Sequence, residues 1–258
     1  MSHSISITTS SRDQSVAALS LSQYLEQLNC RHAYIGGFAC ALLGSVKPTE
    51  ISMLSVKFSL YDIDVLIETQ NLDINTLRKK LTELNRQFAS SGIKLFYVKE
   101  PIGDLRNDDL VRASKDNVVI ETLPAGTMGL PLAAEPVYDI EHESGQYIKI
   151  LHPSILILTK MKRWSHYHDS DRPKTADIEL LLNWLAASEM FIEFEQYQGK
   201  CKPDLLGIVR VFRNKFIADV ELMDTLQMVI KPDDWEALCE EPTNVEKPED
   251  ISLTVDDK

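Results

Sequence analysis

The stretch YDIDVLIE, residues 61–68, sets Asp62 and Asp64 two apart inside a β-branched, apolar run. On a strand, side chains alternate between faces, so both aspartates share one face while Ile63, Val65 and Ile67 share the other. A segment of this kind needs a core behind its apolar face and leaves two carboxylates side by side on the opposite one. Two physical situations suit it. Either the acids face water on a half-buried edge strand, where such alternation is ordinary, or their mutual repulsion is relieved by a hard divalent cation held between them. The strand alone leaves both open.

What surrounds the strand narrows the architecture. Residues 13–28 carry Val16, Leu19, Leu21, Leu25 and Leu28 at nearly helical spacing, which predicts an opening amphipathic helix. In RHAYIGGFACALLG, Tyr34 and Ile35 end a short strand, Gly36 and Gly37 form a tight turn, and Phe38 to Leu43 form a buried helix closed by Gly44. Residues 73–90 predict a second amphipathic helix, capped by Asp or Asn, with Leu77, Leu81, Leu84 and Phe88 on one face and Gly92 beyond its end. The segments 93–98, 117–123 and 146–151 read as strands. After Pro153 the pattern turns helical, over 154–164, 174–187 and roughly 203–230. The expectation is an α/β half over 1–150, a helical half over 151–230 and an acidic, disordered tail over 231–258, with a short helix near Trp235.

Composition matters mainly for what it excludes. A net charge of −12 on 258 residues argues against broad nucleic-acid binding, and no apolar run reaches the roughly 20 residues of a membrane helix. Cys30, Cys40, Cys201 and Cys239 form no CxxC pair, so reduced thiols in or near the core are expected rather than a zinc ribbon or a disulfide framework. The polar start MSHSISITTSSRDQS lacks the apolar core of a secretory signal, and a cytoplasmic location follows as the expectation. His166 and His168 lack a four-ligand zinc spacing.

Three pieces in order carry chemistry: IGG at 35–37 opening a helix, DID at 62–64 on a strand, and IET at 120–122 on a later strand. Backbone N–H groups at a glycine-opened helix start can approach phosphate oxygens, with the helix dipole favouring their charge. If the two acidic strands are neighbours, Asp62, Asp64 and Glu121 together would hold one or two Mg²⁺ ions, about 3.5–4 Å apart when paired, suited to in-line attack at phosphorus. Lys160, Lys162 and Arg163 either offset a leaving pyrophosphate or edge a helix with their charges in water. Lys174 and Asp177 stand at i,i+3, the spacing of an ordinary surface pair.

With these motifs the sequence resembles the nucleotidyltransferase superfamily of the DNA polymerase β-like fold. Ile35-Gly36-Gly37 is similar to its hydrophobic-Gly-Gly/Ser turn, Asp62-Ile63-Asp64-Val65 to its paired-carboxylate strand, and Glu121 to its third acidic residue. Lys160, Lys162, Lys174 and Asp177 resemble the downstream helices of the smaller antitoxin-system and antibiotic-modifying branches, so the resemblance covers roughly residues 30–185. It implies a mixed sheet with flanking helices followed by a helical subdomain. It also implies a Mg²⁺-dependent transferase that moves a nucleoside monophosphate from an NTP to a small-molecule, protein or RNA hydroxyl. Asp62, Asp64 and Glu121 would be catalytic and metal-binding, and Gly36, Gly37, Lys160, Lys162 and Lys174 would bind the nucleotide. Two departures are visible: a long link at 45–60, in which KPTEIS (47–52) imitates the phrase before the family's aspartates, and Glu in place of the usual Asp at 121. They leave two alternatives standing, a binding protein that kept the fold without turnover and an RNA-modifying or toxin–antitoxin-type enzyme.

Overall fold

The structure is a computed structural model and describes residues 5–8, 10–46, 62–69, 72–166 and 175–240. The chain opens with α1 (Ser11–Gln27), capped by the Ser10 hydroxyl, which accepts from the Asp13 N–H. Its buried face runs through Ala17, Ala18, Leu21, Ser22 and Leu25, while Val16 turns to solvent. The strand β1 (Arg31–Ile35) leads without a linker into α2 (Gly36–Val46). Gly44 does not end α2. A Cβ there would stand 3.4 Å from Leu180, so the glycine lets two helices approach closely inside a continuing turn.

The expected acidic strand is β2 (Asp62–Glu68), and α3 (Ile74–Leu84) follows, with Asp73 accepting from the N–H groups of Asn75 and Thr76 as the cap. A cap of this type contributes about 1 kcal/mol. The helix is shorter than its periodicity suggested: Asn85 closes it, and Phe88 belongs to β3 (Phe88–Ser91), which turns through Gly92 into β4 (Lys94–Tyr97). Next come α4 (Asn107–Ala113), β5 (Val118–Pro124), β6 (Val137–Glu141) and β7 (Tyr147–Leu151). Neither α4 nor β6 was expected from the sequence.

These strands form one mixed sheet in the order β3-β4-β5-β2-β1-β7-β6. At its centre β2 runs antiparallel to β1 and parallel to β5. Ile63, Val65 and Ile67 face the side covered by α1 and α3, where Arg78 of α3 donates to Thr122 Oγ1 at 2.8 Å. On the opposite side, Leu110 and Val111 of α4 pack with Phe96 and Val119 as a small separate cluster.

Behind the sheet lie α5 (Pro153–His166), α6 (Ala176–Ala187), α7 (Lys202–Lys215), α8 (Val220–Met228) and α9 (Pro232–Cys239). Ile155 to Leu158 are wholly buried, and Trp164 meets Phe212 of α7 edge-on at 5.1 Å. One continuous apolar cluster joins sheet and helices. The short helix expected near Trp235 is α9, and it packs with the rest of the chain: it buries Leu238, and Lys202 pairs with the buried Asp234 at 2.5 Å. All four cysteines are free, with Cys30 and Cys40 buried as expected and Cys201 and Cys239 exposed, contrary to expectation. Among the described residues no helix is long and apolar enough to cross a membrane.

Candidate metal centre

Register assembles the acids. β2 and β5 run side by side with Asp62 opposite Val119 and Asp64 opposite Glu121, so period-two alternation puts all three carboxylates on one face. Each offers an oxygen, and these oxygens lie within 4.8 Å of one another. On the other side of β2, Ile35 of β1 pairs with Asp64, which brings the start of α2 next to the same carboxylate. Gly36 has φ +72°, and a Cβ there would collide with Oδ2 of Asp64 and sit 2.9 Å from its Cγ. Only glycine fits this approach without strain.

The electrostatics follow from the crowding. Burial, then the charges of Asp62 and Glu121, push the Asp64 carboxyl up to about 7, and Lys160 and Arg163 draw it down only in part. Lys94 stands 3.9 Å from Glu121 with both side chains substantially exposed, a distance and exposure at which an ion pair contributes little. Among the described residues, the local cations thus leave the three acids short of positive charge. Hard carboxylate oxygens, clustered and underneutralised, fit a divalent ion such as Mg²⁺.

The basic residues expected at the site have different placements. Lys160 of α5 forms a largely buried ion pair with Asp177 of α6, 2.6 Å between Nζ and Oδ2, within electrostatic reach of Asp64. Asp177 is thus tied to another helix. Lys162 donates to the Gly129 carbonyl at 2.6 Å, which also accepts from the Tyr197 hydroxyl at 2.8 Å. That pair of bonds fastens the loop 124–131 that follows the Glu121 strand. Gly37 lies in the first turn of α2. Lys174, His168 and most of the 45–60 link lie outside the described residues. Glu68 ends β2 in an ion pair with Arg31 and accepts from the Ala134 N–H. Sequence reasoning missed Lys94, because nothing in IKLFYV signals that β4 will lie beside β5.

No protein-family model and no curated protein matches the sequence significantly. Among solved structures, the chain is similar to an antigenic nucleotidyltransferase-like protein from Paracoccidioides brasiliensis. The two are 18% identical with a TM-score of 0.54, over 84% of this chain and 93% of that one. Identity at that level speaks for the fold alone, and the fold is nucleotidyltransferase-like, as the motifs implied.

Proposed function

We propose that this chain is a Mg²⁺-dependent nucleotidyltransferase, moving a nucleoside monophosphate from an NTP to a hydroxyl acceptor. The observation that carries the reading is the convergence of Asp62, Asp64 and Glu121 within 4.8 Å, with Gly36 packed against Asp64. Mg²⁺ held by the three acids would polarise the phosphoryl oxygens and lower the acceptor hydroxyl's pKa. The backbone N–H groups opening α2 at Gly36 and Gly37 receive phosphate oxygens, and the helix dipole favours their charge. Lys160 and Arg163 offset the charge that grows on the departing pyrophosphate.

In the transfer the acceptor oxygen bonds to the α-phosphorus, the bridge from α- to β-phosphate breaks, and pyrophosphate departs with the bond's electron pair. Glu121, opposite Asp64 on the neighbouring strand, accepts the hydroxyl proton. Lys162 serves at one remove, holding the loop after the Glu121 strand through Gly129. We read the setting as the cytoplasm, where NTPs and Mg²⁺ are present together.

The test compares wild type with Asp64→Asn. Calorimetry with Mg²⁺ and each of ATP, GTP, CTP and UTP should show tighter binding to the wild type, and labelled nucleotide should enter an acceptor fraction only with the wild type. Equal nucleotide affinity in both proteins would remove the reading. Binding without pyrophosphate release from any acceptor mixture would leave a nucleotide-binding protein instead of an enzyme.

A further inference from the structure

At the β3 edge of the sheet, between α3 and α4, a cavity of about 190 Å³ is lined by Lys79, Arg86 and Arg106 and floored by the buried Phe88 and Leu110. The chain carries 27 basic against 39 acidic side chains, so three cations meeting at one cavity run against its composition. One carboxylate shares the lining, Glu83, and it stands a loose 3.9 Å from Lys79. Arg86 is anchored by donating to the Gly103 carbonyl, and its acidic neighbour, Asp104 at 3.7 Å, is fully exposed. Arg106 stands at the N-cap of α4 and lines the cavity with a guanidinium that can only donate.

The cavity is separate from the carboxylate centre. β4 and β5 lie between β3 and β2, and at about 4.8 Å per strand the edge is about 14 Å from the aspartate strand. We propose that this cavity is an anion site for a small phosphomonoester, its phosphoryl group taken by Arg86, Arg106 and Lys79 and its organic part resting on Phe88 and Leu110. Planar guanidinium groups match phosphate oxygens in pairs, and an apolar floor excludes the water that would screen them. The volume sets an upper size. It lies below the roughly 300–1,000 Å³ of sites that enclose larger ligands, so a phosphoryl group on a few carbon atoms fits and a whole nucleotide does not.

Calorimetry on the full chain at low ionic strength, with inorganic phosphate and glycerol 3-phosphate as probes, tests this. Glycerol 3-phosphate should bind more tightly than phosphate, and Arg106→Gln should weaken both by about tenfold or more. Arg86→Gln should do the same; because Arg86 also holds the 103–104 segment, a thermal melt of that variant accompanies the titration, and Arg106→Gln decides if it is unfolded. Arg106→Lys should keep part of the affinity, and Asp64→Asn should leave it unchanged. The site is overturned if neither probe saturates the protein, or if affinity survives Arg106→Gln intact, as it would were the anions held at Gly36 instead.

Discussion

The Asp64 carboxylate fills the space that a side chain on residue 36 would need. Gly36→Ala would have to displace that carboxylate and also hold an L-residue at φ +72°, a strain of about 1–2 kcal/mol. The expected outcome is a fold that survives with a small loss of melting temperature and a metal centre that does not. In a thermal-shift titration, Mn²⁺ or Mg²⁺ should stabilise the wild type and leave Gly36→Ala unmoved. Equal stabilisation of both proteins would show that the glycine serves only the turn.

Asp64 itself gives a pH signature in the absence of metal. Its carboxyl titrates near 3.8 unfolded and near 7 folded, so between these values the folded protein holds a proton that the unfolded chain has released. The stability from this group is full below about 3.8 and is lost as pH rises through about 7, at up to about 1.4 kcal/mol per pK unit. Denaturant melts with a chelator present should therefore show a falling contribution over that window in the wild type and none in Asp64→Asn. Adding Mg²⁺ should reverse the slope, because the ion binds the deprotonated form.

The acidic cluster was legible because it depends on parity and order alone: DID fixes a shared face, and IET supplies a third acid once the strands pair. The pairing itself was not legible, since β2 and β5 are about 55 residues apart and their register is set by the sheet. Phe88 shows how local pattern misleads. It continues the i,i+4 stripe of Leu77, Leu81 and Leu84, yet the chain bends at Asn85 and buries Phe88 from a strand, meeting Tyr24 and Tyr97 edge-on. Leu84, on the same supposed stripe, is half exposed. The seven residues of α4 and the five of β6 are too short and too polar for periodicity to register. α9 was legible as a short helix near Trp235, but its acids and Pro232 made it read as part of a tail, although Asp234 is paired inward with Lys202 rather than solvated.

Lys160 and Asp177 join α5 to α6 close to the acidic centre. Removing one partner of a buried pair costs about 3–5 kcal/mol when solvent is excluded, and the partial exposure of Asp177 lowers the expectation to about 2 kcal/mol. Lys160→Met and Asp177→Leu together should cost less than the sum of the single changes, since neither then leaves a stranded charge. A double-mutant cycle by denaturant unfolding measures that coupling. Additive costs would mean that the pair contributes nothing as a pair.

A second pH effect runs in the opposite direction, away from the site. His32 of β1 is buried with Nε2 2.9 Å from Ser22 Oγ, whose hydroxyl lies 3.1 Å from the Tyr34 hydroxyl, while Tyr34 donates to the Ala18 carbonyl. Burial is the main reason its pKa falls below the ordinary 6.5, with the Lys149 charge adding to it and the Cys30 carbonyl opposing. The unfolded chain therefore takes up a proton at this residue as pH drops through 6.5, before the folded protein does. Stability from His32 is full above 6.5 and declines as the medium becomes more acid. His152, lowered by burial and opposed by Glu193, contributes with the same sign, so His32→Gln should reduce the acid-side slope without abolishing it. Because Asp64 slopes the other way over part of this range, the comparison belongs in an Asp64→Asn background, with melts from pH 5 to pH 8. An unchanged slope on replacing His32 would mean that the imidazole binds its proton equally well in the folded and unfolded protein, the opposing Cys30 carbonyl and Glu26 charge then cancelling the effect of burial.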